Sequence, residues 1–204
     1  GTVDAFWRGS VKQTEVAFAA DVTPPQHPAK GELPVAAHLQ GKYRAGNDSL
    51  ELAQFNLSTP ASRVQASGIL AATSTLHISI STSNLEEWHP LVTALGGPTN
   101  LPFRVNGNAT FNGVAAGTFS APTVAGTLVA DDFEFTMPAT SRTPEQQVHW
   151  DSLAASLQFS AQQLALRGGT LQRGNTSADF ELSAVLQNGQ FTEDSPYTAR
   201  VNLH

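Results

Sequence analysis

Cysteine is absent from this 204-residue chain and methionine occurs once. Disulfides, Cys-ligated zinc and a Cys nucleophile are thereby excluded together, and a small disulfide-stapled module with them. Charge is scarce as well, at 14% Asp, Glu, Lys and Arg, against about 25% in an average soluble domain. The exposed faces must therefore be built from Ser, Thr, Asn and Gln, which favours strands over solvent-exposed helices. Positive charge is the scarcer sign, with 11 Lys and Arg against 17 Asp and Glu for a net charge of −6. That is the opposite of a footprint for phosphate backbones, so no nucleic-acid partner is expected.

Long hydrophobic runs are missing too. The stretch from Val105 to Ala130 carries no charge, yet Asn106, Gly107, Asn108, Asn112, Gly113 and Pro122 interrupt it, which rules out a membrane-spanning helix there. No basic amphipathic helix occurs, and Gly1 to Gly9 show no basic-then-apolar leader. The motifs of nucleophilic and phosphate chemistry are missing, namely Gly-x-Ser-x-Gly, Gly-x-x-x-x-Gly-Lys and Ser-x-x-Lys, so no catalytic residues and no enzyme activity are expected. His27, His38, His77, His89 and His149 lack metal-ligand spacing, so neither a metal nor any other cofactor is expected. Asp131, Asp132 and Glu134 read as a solvated turn at a strand end more readily than as a calcium site. Sequons at Asn47, Asn56, Asn108 and Asn175 are no more than this composition yields by chance. Trp7, Trp88 and Trp150 share no repeat position that would mark a sugar platform.

What is present is alternation. Apolar and polar residues exchange places with the period of half-buried strands nearly everywhere, so the chain reads as all-β. Val16, Phe18, Ala20 and Val22 form one run and Val35 to Tyr43 another, with a turn at Gly46-Asn47-Asp48. Leu50 and Leu52 share one parity while Phe55 and Leu57 share the other, which predicts a bulge at Ala53-Gln54. Val64 to Leu70 and Leu76 to Ile80 continue the meander. One short helix is expected near 84–95, with Asn84-x-x-Glu87 as a capping box, a restart at Pro90 and an end at Gly96-Gly97. Beyond it Phe103, Val105, Ala109 and Phe111 resume the β pattern, and Gly117-Thr118-Phe119 recurs as Gly126-Thr127-Leu128, a spacing that suits successive short strands. Residues 138–147 form the best internal boundary, followed by the runs of Leu153 to Phe159, Leu164 to Leu166, Phe180 to Leu186 and Val201 to Leu203.

The chain also resembles itself. A shift of 114 residues sets Leu39 on Leu153, Tyr43 on Leu157, Leu50 on Leu164, Leu52 on Leu166, Leu57 on Leu171, Pro60 on Gly174, Ser62 on Thr176 and Ala66 on Phe180. The order of strand, bulge and turn is repeated. This predicts a first β-groove unit over 1–137, helix included, and a partial second over 138–204 continuous with it. A second unit that stops at His204 implies a piece of a longer repetitive protein.

Leu50-Glu51-Leu52, Leu57-Ser58-Thr59-Pro60 and Ser62-Arg63-Val64-Gln65-Ala66-Ser67-Gly68-Ile69-Leu70 form a phrase of strand, "TP", strand and "ASG-x-L". With Ser83-Asn84-Leu85-Glu86-Glu87-Trp88, Gly117-Thr118, Pro122-Thr123-Val124-Ala125-Gly126 and Val148-His149-Trp150-Asp151-Ser152-Leu153, it resembles the TamB and AsmA-like bacterial envelope proteins. The resemblance implies an elongated, twisted, open U-shaped antiparallel sheet, a β-taco, whose apolar concave face conducts phospholipid acyl chains between the inner and outer membranes or assists outer-membrane assembly. It implies a periplasmic location in a Gram-negative-type bacterium, with the full-length protein anchored in the inner membrane. An outer-membrane barrel assembly protein is a further implied partner, reached through other parts of the full-length chain. Candidate groove residues are Leu39, Tyr43, Leu50, Leu52, Val64, Ala66, Leu76, Ile78, Ile80, Phe103, Val105, Leu153, Leu157, Phe159, Leu164, Leu166, Phe180 and Leu182. Small inward residues, Ala66, Gly68 and Ala155, favour a void over a filled core. The competing reading is a closed β-sandwich or solenoid module for adhesion or carbohydrate binding.

Overall fold

A computed structural model describes residues 2–8 (backbone alone), 14–27, 33–88, 104–137, 139, 144–190, 192 and 195–204. Among these, twelve strands follow one another in chain order: β1 (Thr2–Arg8), β2 (Glu15–Val22), β3 (Ala36–Arg44), β4 (Ser49–Ser58), β5 (Ser62–Ala71), β6 (Ser74–Thr82), β7 (Arg104–Thr118), β8 (Ala121–Met137), β9 (Gln146–Phe159), β10 (Gln163–Arg173), β11 (Thr176–Val185) and β12 (Tyr197–Leu203). They form one open antiparallel sheet whose spatial order equals the sequence order, with β1 and β12 at its two edges. The chain is all-β, as its alternation predicts.

Alternation survives in the burial. Along β5, Ser62, Val64, Ala66, Gly68 and Leu70 turn inward while Arg63, Gln65, Ser67 and Ile69 face solvent; along β6, Leu76, Ile78 and Ile80 face in and His77 and Ser79 out. The scarcity of charge is met on the outer face by neutral pairs, Gln65 donating to Asn56 (3.2 Å) and Ser79 to Asn112 (2.8 Å).

The residues fall into two compact units, one of 1–81 with 112–124 and the other of 82–111 with 125–204. The division between these units runs through β7 and β8. In the first unit Leu52, Leu70, Leu76 and Ala115 are buried, with Phe18, Leu39, Leu50, Phe55, Ala66, Ile78 and Val124 packed around them. In the second, Ala109, Ala130 and Phe133 are buried against Leu85, Val105, Trp150, Leu153 and Leu171.

The 114-residue shift is structural. Adding it to β5 gives 176–185, the bounds of β11, and adding it to β4 gives 163–172 against 163–173 for β10. The expected bulge appears as a register shift between Leu52 and Phe55 in the β4–β5 pair, and its counterpart lies between Leu166 and Gly169 in the β10–β11 pair. Each unit thus holds one copy of the strand, bulge and turn phrase.

Two expectations need correction. The short strands foreseen around Gly117 and Gly126 are two long ones, of 15 and 17 residues. The irregularities that suggested breaks are bends inside them: Gly107 has φ +123°, and a Cβ there would stand 2.6 Å from the Asp132 carbonyl oxygen, while Asp132 itself has φ +51°. Positive φ on both strands of a pair bends the ladder without ending it. The acidic cluster therefore sits in the middle of β8, with Asp131 and Asp132 exposed, and not at a strand end. The helix near 84–95 begins as a single 3-10 turn, Leu85–Glu87, capped by Asn84, whose Oδ1 accepts from the Glu86 N–H at 3.0 Å. The Asn84 N–H donates to the Thr82 hydroxyl. The expected continuation of the helix, from residue 89 through Gly96-Gly97, falls outside the described residues, as do His89 and Phe103.

Candidate functional site

An apolar groove of about 500 Å³ opens in the first unit, lined by Phe18, Leu39, Tyr43, Leu50, Leu52, Phe55, Val64, Ala66, Leu76, Ile78 and Phe119. Strand alternation supplies it. Residues of one parity from β3, β5 and β6 point the same way, and the bulge in β4 brings both Leu52 and Phe55 onto that face although they are three positions apart. Without the bulge Phe55 would turn to solvent. Leu52 and Leu76 of the buried cluster reach the lining, and Leu70 and Ala115 pack with them.

No charged side chain lines this groove. Asp48, in the turn between β3 and β4, holds its carboxylate against the hydroxyl of Tyr43 and is engaged outside the lining. Its Oδ2 accepts from the Ser120 backbone N–H (3.0 Å) and from the Ser120 hydroxyl, and its Oδ1 accepts from the Tyr43 hydroxyl (3.0 Å). The Asp48 carbonyl accepts from the Phe119 N–H at 3.0 Å. The turn at 118–121 is thereby held on the turn at 44–49, with the Phe119 ring tilted against Tyr43 at 5.4 Å. Three donors on one carboxylate, the Ser120 hydroxyl foremost, hold the Asp48 pKa down at about 2. The bond from Tyr43 to that carboxylate raises the phenol's pKa and turns its polar tip away from the groove.

Eight candidates from the sequence converge here: Leu39, Tyr43, Leu50, Leu52, Val64, Ala66, Leu76 and Ile78. Ile80 shares their parity on β6 and lies half-buried outside the lining. The other candidates lie in the second unit, in different settings. Val105 and Leu153 pack against its buried core. Leu166 and Leu182, opposite each other in register, line a pocket of about 470 Å³ with Gln163, Arg167, Glu181, Ser183, Thr198 and Arg200, which gives it a mixed and charged rim. Leu157 pairs with Leu166 and Leu164 with Phe159, which is 37% exposed. Phe180 lies over Gly169.

Phe18, Phe55 and Phe119 line the groove without having been singled out for it. The first two were accessible from parity, Phe18 from its alternating run and Phe55 once the bulge is applied. Phe119 is a turn residue with no periodic signal to place it. Ala155 is buried in the second unit, so it marks filled core there and not a void.

Among the described residues, no group of three or more His, Asp or Glu side chains is placed to hold a metal ion. His149 Nε2 stands 3.4 Å from Asp151 and 3.6 Å from Asp132, an exposed ion-pair geometry. No helix among them is long and apolar enough to cross a membrane.

Compared with protein-family models, with curated proteins and with solved structures, the chain finds no match.

Proposed function

We propose that this chain is a segment of an elongated, periplasm-spanning envelope protein of the β-taco kind, whose U-shaped sheet passes phospholipid between the inner and outer membranes or assists outer-membrane assembly. The supporting observation is the groove of the first unit, lined wholly by apolar surface on the inward face of an open sheet. Apolar surface left on one face of a sheet must be covered by another layer or by a ligand. An acyl chain suits this surface, since each buried methylene contributes about 0.8 kcal/mol and asks for no hydrogen bond. The chemistry needed from the chain is limited: a strip of aliphatic and aromatic side chains, hydroxyls and carboxylates turned aside, and no reacting group. The headgroup would stay in water at the open side.

Native mass spectrometry after incubation with phosphatidylethanolamine vesicles tests this reading. Val64→Arg is the informative variant, because Val64 is half-buried on the groove lining. The parent is expected to carry phospholipid, and a folded Val64→Arg to carry at least about tenfold less, the effect of placing an unpaired charge against the chain. A parent that takes up no lipid overturns the proposal, and the first unit is then a dry core.

A further inference from the structure

We infer that the Phe119-Ser120 turn is a gate at one end of the groove and that Asp48 is its latch. The inference rests on the acyl-chain reading of the groove and adds how a chain gets in and out of it.

Two parts of the first unit's apolar surface differ in what holds them. Around Leu52, Leu70 and Leu76 the contacts are buried and apolar, and opening them would expose core. At the Tyr43 end the groove is bounded by Phe119, which lines it while remaining 50% exposed. Phe119 belongs to a two-residue turn joining β7 to β8, so its ring swings aside without disturbing either strand. What keeps the turn in place is polar and solvent-accessible. One residue, 72 positions away, supplies it: the Asp48 carboxylate takes the Ser120 N–H and hydroxyl, and the Asp48 carbonyl takes the Phe119 N–H. Bonds of that kind exchange with water at small cost, so they hold a two-state element better than they hold a permanent wall.

The latch is itself held in a demanding conformation. Asp48 has φ +46° and ψ +50°, left-handed geometry that few side chains other than Asn and Asp adopt readily. Its Oδ1 simultaneously takes the Tyr43 hydroxyl, and the Tyr43 ring is the surface against which Phe119 rests. One carboxylate thus positions both rings at the groove's end. Asp48 acts here as a positioning residue, since it does not itself line the groove.

A gate changes rates in both directions and leaves affinity alone, whereas a lining residue changes affinity. Stopped-flow fluorescence of cis-parinaric acid, binding to and released from the protein, separates the two. Asp48→Asn keeps a residue that tolerates left-handed geometry while weakening every bond to the carboxylate, and Ser120→Ala removes one donor without touching Asp48. Both are expected to speed uptake and release by about tenfold, the equivalent of one charge-assisted hydrogen bond, with the dissociation constant unchanged. Phe119→Ala is expected to speed both further and, because Phe119 also lines the groove, to raise the dissociation constant as well. Because the chain has no cysteine of its own, Asp48→Cys with Ser120→Cys supplies the converse: oxidation is expected to slow exchange below the parent rate and reduction to release it. Rates that stay at the parent value in folded Asp48→Asn and Ser120→Ala overturn the gate and leave the groove standing. A parent that binds no cis-parinaric acid overturns both.

Discussion

Asp48 concentrates more of the first unit's polar bonding than any lining residue, and its ionisation is correspondingly displaced. The Ser120 hydroxyl and N–H lower its pKa from the ordinary 3.8 to about 2. A depressed carboxylate stabilises the fold wherever the unfolded chain would also be ionised, above about pH 4. That contribution is lost as the pH falls through the folded value near 2, because the folded state must then give up the charge its donors hold. The melting temperature should therefore decline between about pH 4 and pH 2, and part of the decline should be missing in Asp48→Asn, which has no proton to take up. Thermal melts of the two proteins over pH 2–6 check this. Equal slopes would mean that the carboxylate's bonds to Ser120 do not distinguish the folded from the unfolded chain. Little of this was visible in the sequence, where Gly46-Asn47-Asp48 read as a turn and nothing more. A turn residue's partner 72 positions away carries no local signal.

At the scale of strands, the repeat is the feature most fully legible in the chain, and it contains an informative exchange. Phe55 lies opposite Ala66 in the β4–β5 register, and the corresponding positions 114 residues later are Gly169 and Phe180, again opposite each other. Each copy has one aromatic ring at this pair, carried on opposite strands. A Cβ at position 169 would land on the Phe180 ring, so the glycine is required by the ring and the pair behaves as a unit. Phe180→Ala alone should cost about 1–3 kcal/mol through the lost ring, and Gly169→Phe alone a similar amount through overpacking. Together they rebuild the arrangement of the first copy, so the double variant should cost less than the sum by at least about 1 kcal/mol. Urea unfolding of the four proteins measures that coupling, and simple additivity would show that the ring and the glycine are independent. The bulges were legible because a parity switch needs two apolar pairs on either side, Leu50 and Leu52 against Phe55 and Leu57. The lengths of β7 and β8 were not, since Gly107 and Asp132 break parity inside a continuous ladder and look, in sequence, like the ends of short strands.

The whole molecule raises a different question, because its two units are not consecutive in sequence. Residues 104–111 of β7 belong to the second unit and 112–118 to the first, while β8 passes from the first to the second after Val124. Melting the first unit would free one half of two strands whose other halves pair in the second. The exchange of bonds within a strand is cooperative only over short distances in linear repeat arrays, but here two strands cross the division in opposite directions, so neither unit retains a complete edge when the other unfolds. Equilibrium unfolding in urea should consequently show one transition. Fluorescence provides a local probe, since Trp88 and Trp150 lie in the second unit, and far-UV circular dichroism reports on every strand. Replacing Trp7 by Phe confines the fluorescence signal to the second unit, and the two curves should then superpose within error. A fluorescence midpoint displaced from the circular-dichroism midpoint would mean that β7 and β8 can be unzipped halfway, and that each copy of the repeat, with its bulge and its Phe-containing pair, is stable without the other.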